Sequence, residues 1–132
     1  MGSEMCIRDS YKPLYRNQEN VKFVLEAMFA STNEVRGTSY SSRISDKKYQ
    51  FAGKTGTSQV KKITEIQREL DLDISQIPYE ERDHALFVGY GPVKDPKLVV
   101  AVIIENGESG SEVAAPIVKS AINFFTGSPN AK

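Results

Sequence analysis

The sequence holds very few of the residues that build cross-links and metal sites. Its 132 residues include one cysteine, one histidine and no tryptophan. A single cysteine cannot form an internal disulfide, and a zinc site of the common kinds needs more cysteine or histidine ligands than the chain contains. The sequence therefore predicts no disulfide framework, no metal and no cofactor.

Charge of one sign and long apolar runs are also lacking. Seventeen lysines and arginines balance seventeen aspartates and glutamates, so the formal net charge is zero. Domains that bind nucleic acid usually carry a basic excess, and this balance argues against such a partner. The longest apolar run, residues 98–104, is strand-sized and far short of the ~20 residues of a transmembrane helix. We expect one domain with no membrane contact by this segment.

The first ten residues, MGSEMCIRDS, stand apart from the rest. They show neither helical nor strand periodicity and lack the apolar stretch and cleavage site of a signal peptide. We predict that residues 1–10 are a non-native or disordered leader, that residues 11–127 form the folded unit, and that residues 128–132 are a tail.

The first half of the folded unit reads as a helix, a loop and a strand. Apolar residues recur at helical spacing over residues 18–31, and Asn17 precedes them as a suitable N-cap. A loop follows, and residues 49–57, YQFAGKTGT, suggest a short strand. Residues 60–82 are highly charged and form an excursion whose role the sequence leaves open.

The second half reads as a β-hairpin followed by a helix. Residues 84–90 and 98–105 are strand candidates, and the intervening GPVKDPK has turn composition. Strand 98–105 is apolar on both faces, which predicts a central, buried strand. Residues 106–110 read as a flexible connection. Ser111 is the expected N-cap of the last helix, where Pro116 marks a kink or the true start. Its predicted apolar stripe consists of Val113, Ile117, Ala121, Ile122 and Phe125.

These elements predict an α+β fold, a three-stranded antiparallel meander with flanking helices. Its first strand carries Lys54, Thr55, Gly56 and Thr57. A cation and two hydroxyls suit an anionic ligand, and glycine allows close approach to the strand. The Thr57 N–H is then a candidate oxyanion donor. A phosphate-binding P-loop is excluded because that motif requires glycine where Lys48 stands.

Four blocks in order, FAGKTGTSQV, HALFVGYGP, KLVVAVIIENG and AAPIVKSAINFF, resemble the C-terminal part of a transpeptidase domain. The family is the class B penicillin-binding proteins, nearest to the elongation-type penicillin-binding protein 2. The resemblance implies the penicillin-binding/serine β-lactamase-like fold and a fragment of a peptidoglycan D,D-transpeptidase. Such enzymes cross-link the cell wall by acyl transfer from D-Ala-D-Ala stem peptides, and β-lactams acylate the same serine.

The resemblance also assigns roles to residues of the first strand. Lys54 and Thr57 are implied to be catalytic, through electrostatic stabilisation and the oxyanion N–H respectively. Implied substrate-binding residues are Thr55, Gly56, Thr57, Ser58 and Gln59. The expected partners are a stem peptide or β-lactam and the remainder of the transpeptidase domain.

The family's nucleophile belongs to a Ser-x-x-Lys motif that opens an apolar helix. The literal matches Ser45–Lys48 and Ser58–Lys61 occupy a charged loop and the strand itself, so we interpret both as decoys. Residues 31–33 match the family's Ser-x-Asn motif but read as a helix end, and His84 reads as a strand-start residue bonded locally. We expect the chain alone to be inactive.

Two alternatives stay open: a fragment of a serine β-lactamase or D,D-carboxypeptidase, and a non-catalytic binding module. By resemblance, the parent protein has a role in cell shape and lies on the periplasmic face of the bacterial inner membrane. The resemblance further implies that strand 98–105 normally pairs with an N-terminal strand of the domain, and therefore presents an open, aggregation-prone edge in this chain.

Overall fold

Two helices flank a small antiparallel sheet in the computed structural model, which describes residues 14–60 and 76–129. The elements in chain order are α1 (Gln18–Asn33), β1 (Ala52–Ser58), β2 (His84–Gly91), β3 (Leu98–Ile104) and α2 (Ala115–Thr126). The sheet has the order β1-β2-β3, and both pairs are antiparallel. The predicted α+β meander with flanking helices is confirmed. Most of the charged excursion, residues 61–75, lies outside the described residues.

Helix α1 begins where the sequence predicts. The Asn17 side chain accepts a hydrogen bond of 2.8 Å from the Glu19 N–H, which satisfies one of the free donors of the first turn. The helix continues two residues beyond the predicted end. Its apolar side is only partly covered by the described residues, since Phe23 is 73% exposed and Val24 is 54% exposed.

The last helix starts differently from the prediction. Residues Gly110–Ala114 form one turn of π-helix, and Ser109, not Ser111, accepts the capping bond from the Glu112 N–H. Helix α2 then begins at Ala115 with Pro116 in its first turn. Of the two predicted roles of Pro116, a kink or the true start of the helix, the structure has the second.

The predicted apolar stripe of α2 was wrong in register. The buried residues of α2 are Ala115, Val118, Ile122 and Asn123, whereas Ile117 and Phe125 are exposed. The wider π turn inserts an extra residue before the helix and rotates its buried face by about one position. Only Ile122 of the predicted stripe is fully buried.

The core lies between α2 and one face of the sheet. Phe51 and Phe87 are almost fully buried and meet edge to face with ring centroids 6.2 Å apart. Val118 and Ile122 of α2 pack into the same cluster. Gly53 is required there, because a Cβ at this position would lie 2.3 Å from the Phe87 ring.

Among the described residues, strand β3 lies at an edge of the three-stranded sheet. This agrees with the open edge that the resemblance implies, whereas the central, buried position predicted from its composition was wrong. Half-buried and exposed residues alternate along it, and Val99 is 72% exposed while Ile103 is 65% exposed. Helix α2 covers one face of the strand. Nothing in the described ranges covers the other face, although both carry apolar side chains.

Candidate active-site strand

Alternate residues of β1 turn their backbone groups away from the sheet. The Phe51 carbonyl accepts a hydrogen bond of 2.8 Å from Asn33 Nδ2, and the Thr55 carbonyl accepts one of 2.9 Å from Lys54 Nζ. Neither donor belongs to β2, so the odd-numbered residues form the pairs that do not exchange bonds with β2. The same alternation directs the N–H groups of Thr55 and Thr57 toward the open edge. The Thr57 N–H therefore points away from β2, where a ligand could accept a hydrogen bond from it.

Lys54 lies at this edge with its side chain exposed. Its Nζ donates to the carbonyl oxygen of Thr55 at 2.9 Å and to the Thr55 hydroxyl at 3.1 Å. The ammonium group is thus held beside the outward-facing backbone of its own strand. It can exchange these weak, solvent-exposed partners for the oxygens of an anionic ligand at little cost.

The remaining predicted site residues form one continuous exposed stretch. Thr55 and Gly56 are half-buried, while Thr57, Ser58 and Gln59 are exposed. A Cβ on Gly56 would meet only the Leu86 side chain, at 3.3 Å. Packing therefore requires glycine much less at this position than at Gly53. The missing side chain leaves room for a ligand beside Lys54.

A groove of about 500 Å³ runs between α1 and this strand. Its walls are mainly apolar, and Lys54 contributes a positive charge to one side. Residues that line it include Phe23, Ala27, Met28, Thr38, Lys54 and Val88. Glu34 and Arg36 also line the groove, and their charges are opposite. An apolar groove with the Lys54 cation at the edge of a strand suits a ligand that combines alkyl groups with a carboxylate.

Hydrogen bonds join the connection after β3 to the start of β2. The Asn106 N–H donates to His84 Nδ1 at 2.9 Å, and the Glu108 N–H donates to the Asp83 carbonyl at 2.8 Å. The prediction of local hydrogen bonding for His84 is confirmed. The connection over 106–110, for which the sequence predicts flexibility, follows a defined path in the structure and includes two left-handed residues, Asn106 and Glu108.

Gly110 is a residue that sequence reasoning missed. A Cβ there would lie 2.4 Å from the Leu86 carbonyl oxygen, 3.0 Å from the Gly56 carbonyl oxygen and 3.3 Å from Thr55 Cβ. Only glycine lets the π turn lie flat against the strand that carries Lys54. A glycine between Ser109 and Ser111 gives no sign of this role in the sequence.

The two Ser-x-x-Lys matches do not open helices. Ser45 is exposed in a loop, and Lys48 lies in the turn that follows it. Ser58 is the last residue of β1, and its partner Lys61 lies outside the described residues. Neither serine has the helical setting of an activated nucleophile, in agreement with their interpretation as decoys.

The Ser-x-Asn match ends α1, as predicted, and its side chains hold the helix to β1. Thr32 is fully buried, and its hydroxyl lies 3.5 Å from the Gly53 carbonyl oxygen. Asn33 makes the stronger contact, to Phe51. The end of α1 thus fixes the position of β1, the strand that carries Lys54.

The titratable groups of the described residues indicate no further candidate for the site. Burial raises the pKa of the Tyr90 phenol above its usual range. No group of three or more metal-ligating side chains occurs among residues 14–60 and 76–129. None of the helices in these two ranges is long and apolar enough to span a membrane.

Comparison with known proteins decides the family. The sequence profile of the penicillin binding protein transpeptidase domain matches residues 14–123. The chain belongs to this family. The match includes the whole of β1, β2 and β3 and most of α2.

Two relatives of the chain are peptidoglycan D,D-transpeptidases named MrdA. The chain is 36% identical over 98 residues to the peptidoglycan D,D-transpeptidase MrdA of Haemophilus influenzae, which covers 74% of this chain and 14% of that protein. It is 42% identical over 77 residues to MrdA of Acinetobacter baumannii, covering 58% of this chain and 11% of that protein.

Solved structures confirm the fold. Penicillin-binding protein PBP2 of Pseudomonas aeruginosa, in complex with WCK 5153, matches 92% of this chain with a TM-score of 0.67 and 34% identity. PBP2 of Helicobacter pylori, in complex with MreC, matches 91% with a TM-score of 0.63 and 26% identity. The chain spans 23% and 21% of those chains respectively.

Proposed function

We propose that this chain is the part of a peptidoglycan D,D-transpeptidase that binds the carboxylate end of a D-Ala-D-Ala stem peptide or of a β-lactam. The observation that carries the proposal is the open edge of β1, where Lys54 Nζ and the outward N–H of Thr57 flank Gly56. The groove beside α1 supplies apolar surface next to these polar groups.

Each residue has a distinct task in this proposal. The Lys54 ammonium attracts the terminal carboxylate and stabilises negative charge near the reacting carbonyl. The hydroxyls of Thr55 and Thr57 donate to that carboxylate. Gly56 gives the ligand access to the strand, and Ser58 and Gln59 continue the wall.

The acyl-transfer step requires a serine that no described residue offers in a suitable setting. We propose that the remainder of the transpeptidase domain supplies it. During attack on the D-Ala-D-Ala carbonyl, the oxygen gains negative charge and the Thr57 N–H stabilises it. One such donor contributes about 10²–10³ in rate in enzymes of this kind. This chain alone then binds ligand without catalysing the reaction.

The cellular setting is part of the same proposal. The relatives named MrdA are peptidoglycan transpeptidases, and peptidoglycan lies outside the cytoplasmic membrane. We propose an extracytoplasmic location on the inner membrane's periplasmic face and a contribution to cell shape through wall synthesis.

Binding of a short peptide tests the proposal. A peptide ending in D-Ala-D-Ala is titrated against the full chain, beside the same peptide with a C-terminal carboxamide. We expect the peptide with the free acid to bind more tightly than the carboxamide. Lys54→Gln should weaken binding of the acid about tenfold to a hundredfold, because a hydrogen bond to a charged group contributes about that much to affinity.

The matched control is Lys94→Gln, which removes an exposed lysine from the β2–β3 turn. It should leave the affinity unchanged. Equal binding of acid and carboxamide, or equal loss in both variants, would refute a carboxylate site at Lys54.

A further inference from the structure

Asp83 and His84, where the chain enters β2, hold the segments that leave the other two strands. The Asp83 carboxylate accepts a hydrogen bond of 3.2 Å from the N–H of Val60, just beyond β1. The Asp83 carbonyl oxygen accepts one of 2.8 Å from the Glu108 N–H, and His84 Nδ1 accepts one of 2.9 Å from the Asn106 N–H. The exits from β1 and β3 are therefore fixed at one pair of residues.

His84 also lies beside the candidate site. It is the partner of Ser58 in the register of β1 and β2, and Ser58 belongs to the predicted wall of the site. Side chains alternate between the two faces of a strand, so His84 shares its face with Val88. Val88 and Lys54 both line the groove beside α1. The imidazole therefore emerges on the face of the sheet that carries the Lys54 side chain.

The connection that His84 holds reaches the candidate site within a few residues. It runs from Asn106, which is bonded to the imidazole, to Gly110 at the start of the π turn. A Cβ on Gly110 would lie 3.0 Å from the Gly56 carbonyl oxygen and 3.3 Å from Thr55 Cβ, so this turn is in direct contact with the strand. Because closely packed segments transmit displacements, a shift of Asn106 is passed to the turn that touches Thr55.

The bond to Asn106 requires a neutral His84. A backbone N–H can only donate, so His84 Nδ1 carries no proton and the ring proton lies on Nε2. In an imidazolium both nitrogens carry protons, and Nδ1 can no longer accept. Histidine ordinarily changes charge between about pH 5 and 8, and His84 is the only histidine of the chain. Protonation of this one side chain therefore removes the bond.

Carboxylates in the adjoining segments offer a protonated His84 other partners. Ser58, opposite it on β1, is uncharged. Arg82 lies over the Tyr79 ring, with 5.9 Å between the guanidinium carbon and the ring centroid. The carboxylates of the adjoining segments belong to Glu80, Glu81, Asp83, Glu105 and Glu108. An imidazolium donates strongly to such groups, and a ring that turns to one of them leaves the Asn106 N–H without its acceptor.

We propose that His84 is a positioning residue of the candidate carboxylate site, and that only its neutral form holds the connection 106–110 against β1. The proposal rests on the proposed function, because it concerns the same strand. The bond from Asn106 is present at high pH and is lost as the pH falls and the ring takes up a proton. Carboxylate binding should weaken with it by about threefold to tenfold, which is the contribution of one hydrogen bond between neutral groups.

Titrations of the full chain with a peptide ending in D-Ala-D-Ala, at about pH 8 and at about pH 5.5, test the effect on binding. The peptide carboxyl group is ionised at both, because α-carboxyl groups titrate below about pH 4. His84→Asn offers Oδ1 close to the position of Nδ1 and does not titrate, so it should bind equally at the two pH values. His84→Leu has no acceptor and should bind at high pH as weakly as the unmodified chain binds at low pH.

The Asn106 amide reports on the bond without any ligand. In ¹H–¹⁵N spectra of the unmodified chain it should shift together with the titration of the His84 ring, and in His84→Asn it should keep its position. Equal affinity of the acid and the carboxamide peptide at high pH would refute the carboxylate site itself, and this proposal with it. Tight binding that does not change with pH, a pH effect that persists in His84→Asn, or an Asn106 amide that does not follow the ring would overturn the role of His84 alone.

Discussion

Asn33, the last residue of α1, donates from Nδ2 to the carbonyl oxygen of Phe51, 2.8 Å away and one residue before β1 begins. The bond joins the helix that forms one wall of the groove to the strand that carries Lys54. It also uses an outward-facing carbonyl that β2 cannot satisfy. The bond therefore helps to set the width of the groove, together with the weaker contact of the Thr32 hydroxyl with the Gly53 carbonyl oxygen.

Replacing that amide should loosen both elements. Asn33→Ala leaves the Phe51 carbonyl without its donor, and we expect a loss of about 1–3 kcal/mol in the free energy of unfolding. Chemical denaturation measures it. Asn20→Ala, on an exposed turn of the same helix, should leave the free energy of unfolding unchanged or slightly raised, because alanine has a higher helix propensity than asparagine. An equal loss in the two variants would contradict a specific role for the bond to Phe51.

Two glycines of the site should respond differently to alanine. Gly110→Ala places a Cβ 2.4 Å from the Leu86 carbonyl oxygen and should destabilise the chain by about 1–3 kcal/mol. Gly56→Ala meets only the Leu86 side chain at 3.3 Å and should change stability by less than about 1 kcal/mol. We expect Gly56→Ala to weaken D-Ala-D-Ala binding nonetheless. Thermal melts and peptide titrations of both variants decide whether Gly56 serves the ligand or the fold.

The aromatic pair at the centre of the core should dominate stability. Phe87 is almost fully buried against Phe51, and Phe87→Ala should cost about 3–5 kcal/mol in the free energy of unfolding. Phe23 is 73% exposed, so Phe23→Ala should change it by about 0.5 kcal/mol or less. A comparable loss in the two variants would mean that the groove beside α1 is closed in solution.

The chain alone should not react covalently with a β-lactam. No described serine has the helical setting of an activated nucleophile, since Ser45 lies in a loop and Ser58 ends a strand. Intact-mass measurement after incubation with penicillin should show the unmodified mass. A stoichiometric adduct on either serine would contradict this expectation and would place a nucleophile within the chain.

Local signals explain what could be predicted. The Asn17 cap, the hairpin and the Lys54–Thr57 strand each depend on residues close together in sequence, and the order of four sequence blocks identified the family. The π turn was missed because a glycine between two serines predicts a flexible link equally well. Because the π turn immediately precedes α2, the sequence also predicted the wrong set of buried residues for that helix.

Relations between distant segments could not be predicted in this way. An apolar strand is typical of a sheet centre, but the position of β3 depends on the order of strands, which the composition of the strand does not encode. The bond from Asn33 to Phe51 joins residues eighteen positions apart. The match to a Ser-x-Asn motif gave no indication that these side chains hold a strand edge.

The alternation of backbone amides along β1 provides the most direct test of the central claim. In ¹H–¹⁵N spectra of the chain, titration with a peptide ending in D-Ala-D-Ala should shift the amides of Thr55 and Thr57, which face the open edge. The amides of Lys54, Gly56 and Ser58, which bond to β2, should shift much less and should be protected from hydrogen exchange. Uniform small shifts along the strand, or shifts confined to other elements, would contradict a carboxylate and oxyanion site at the edge of β1.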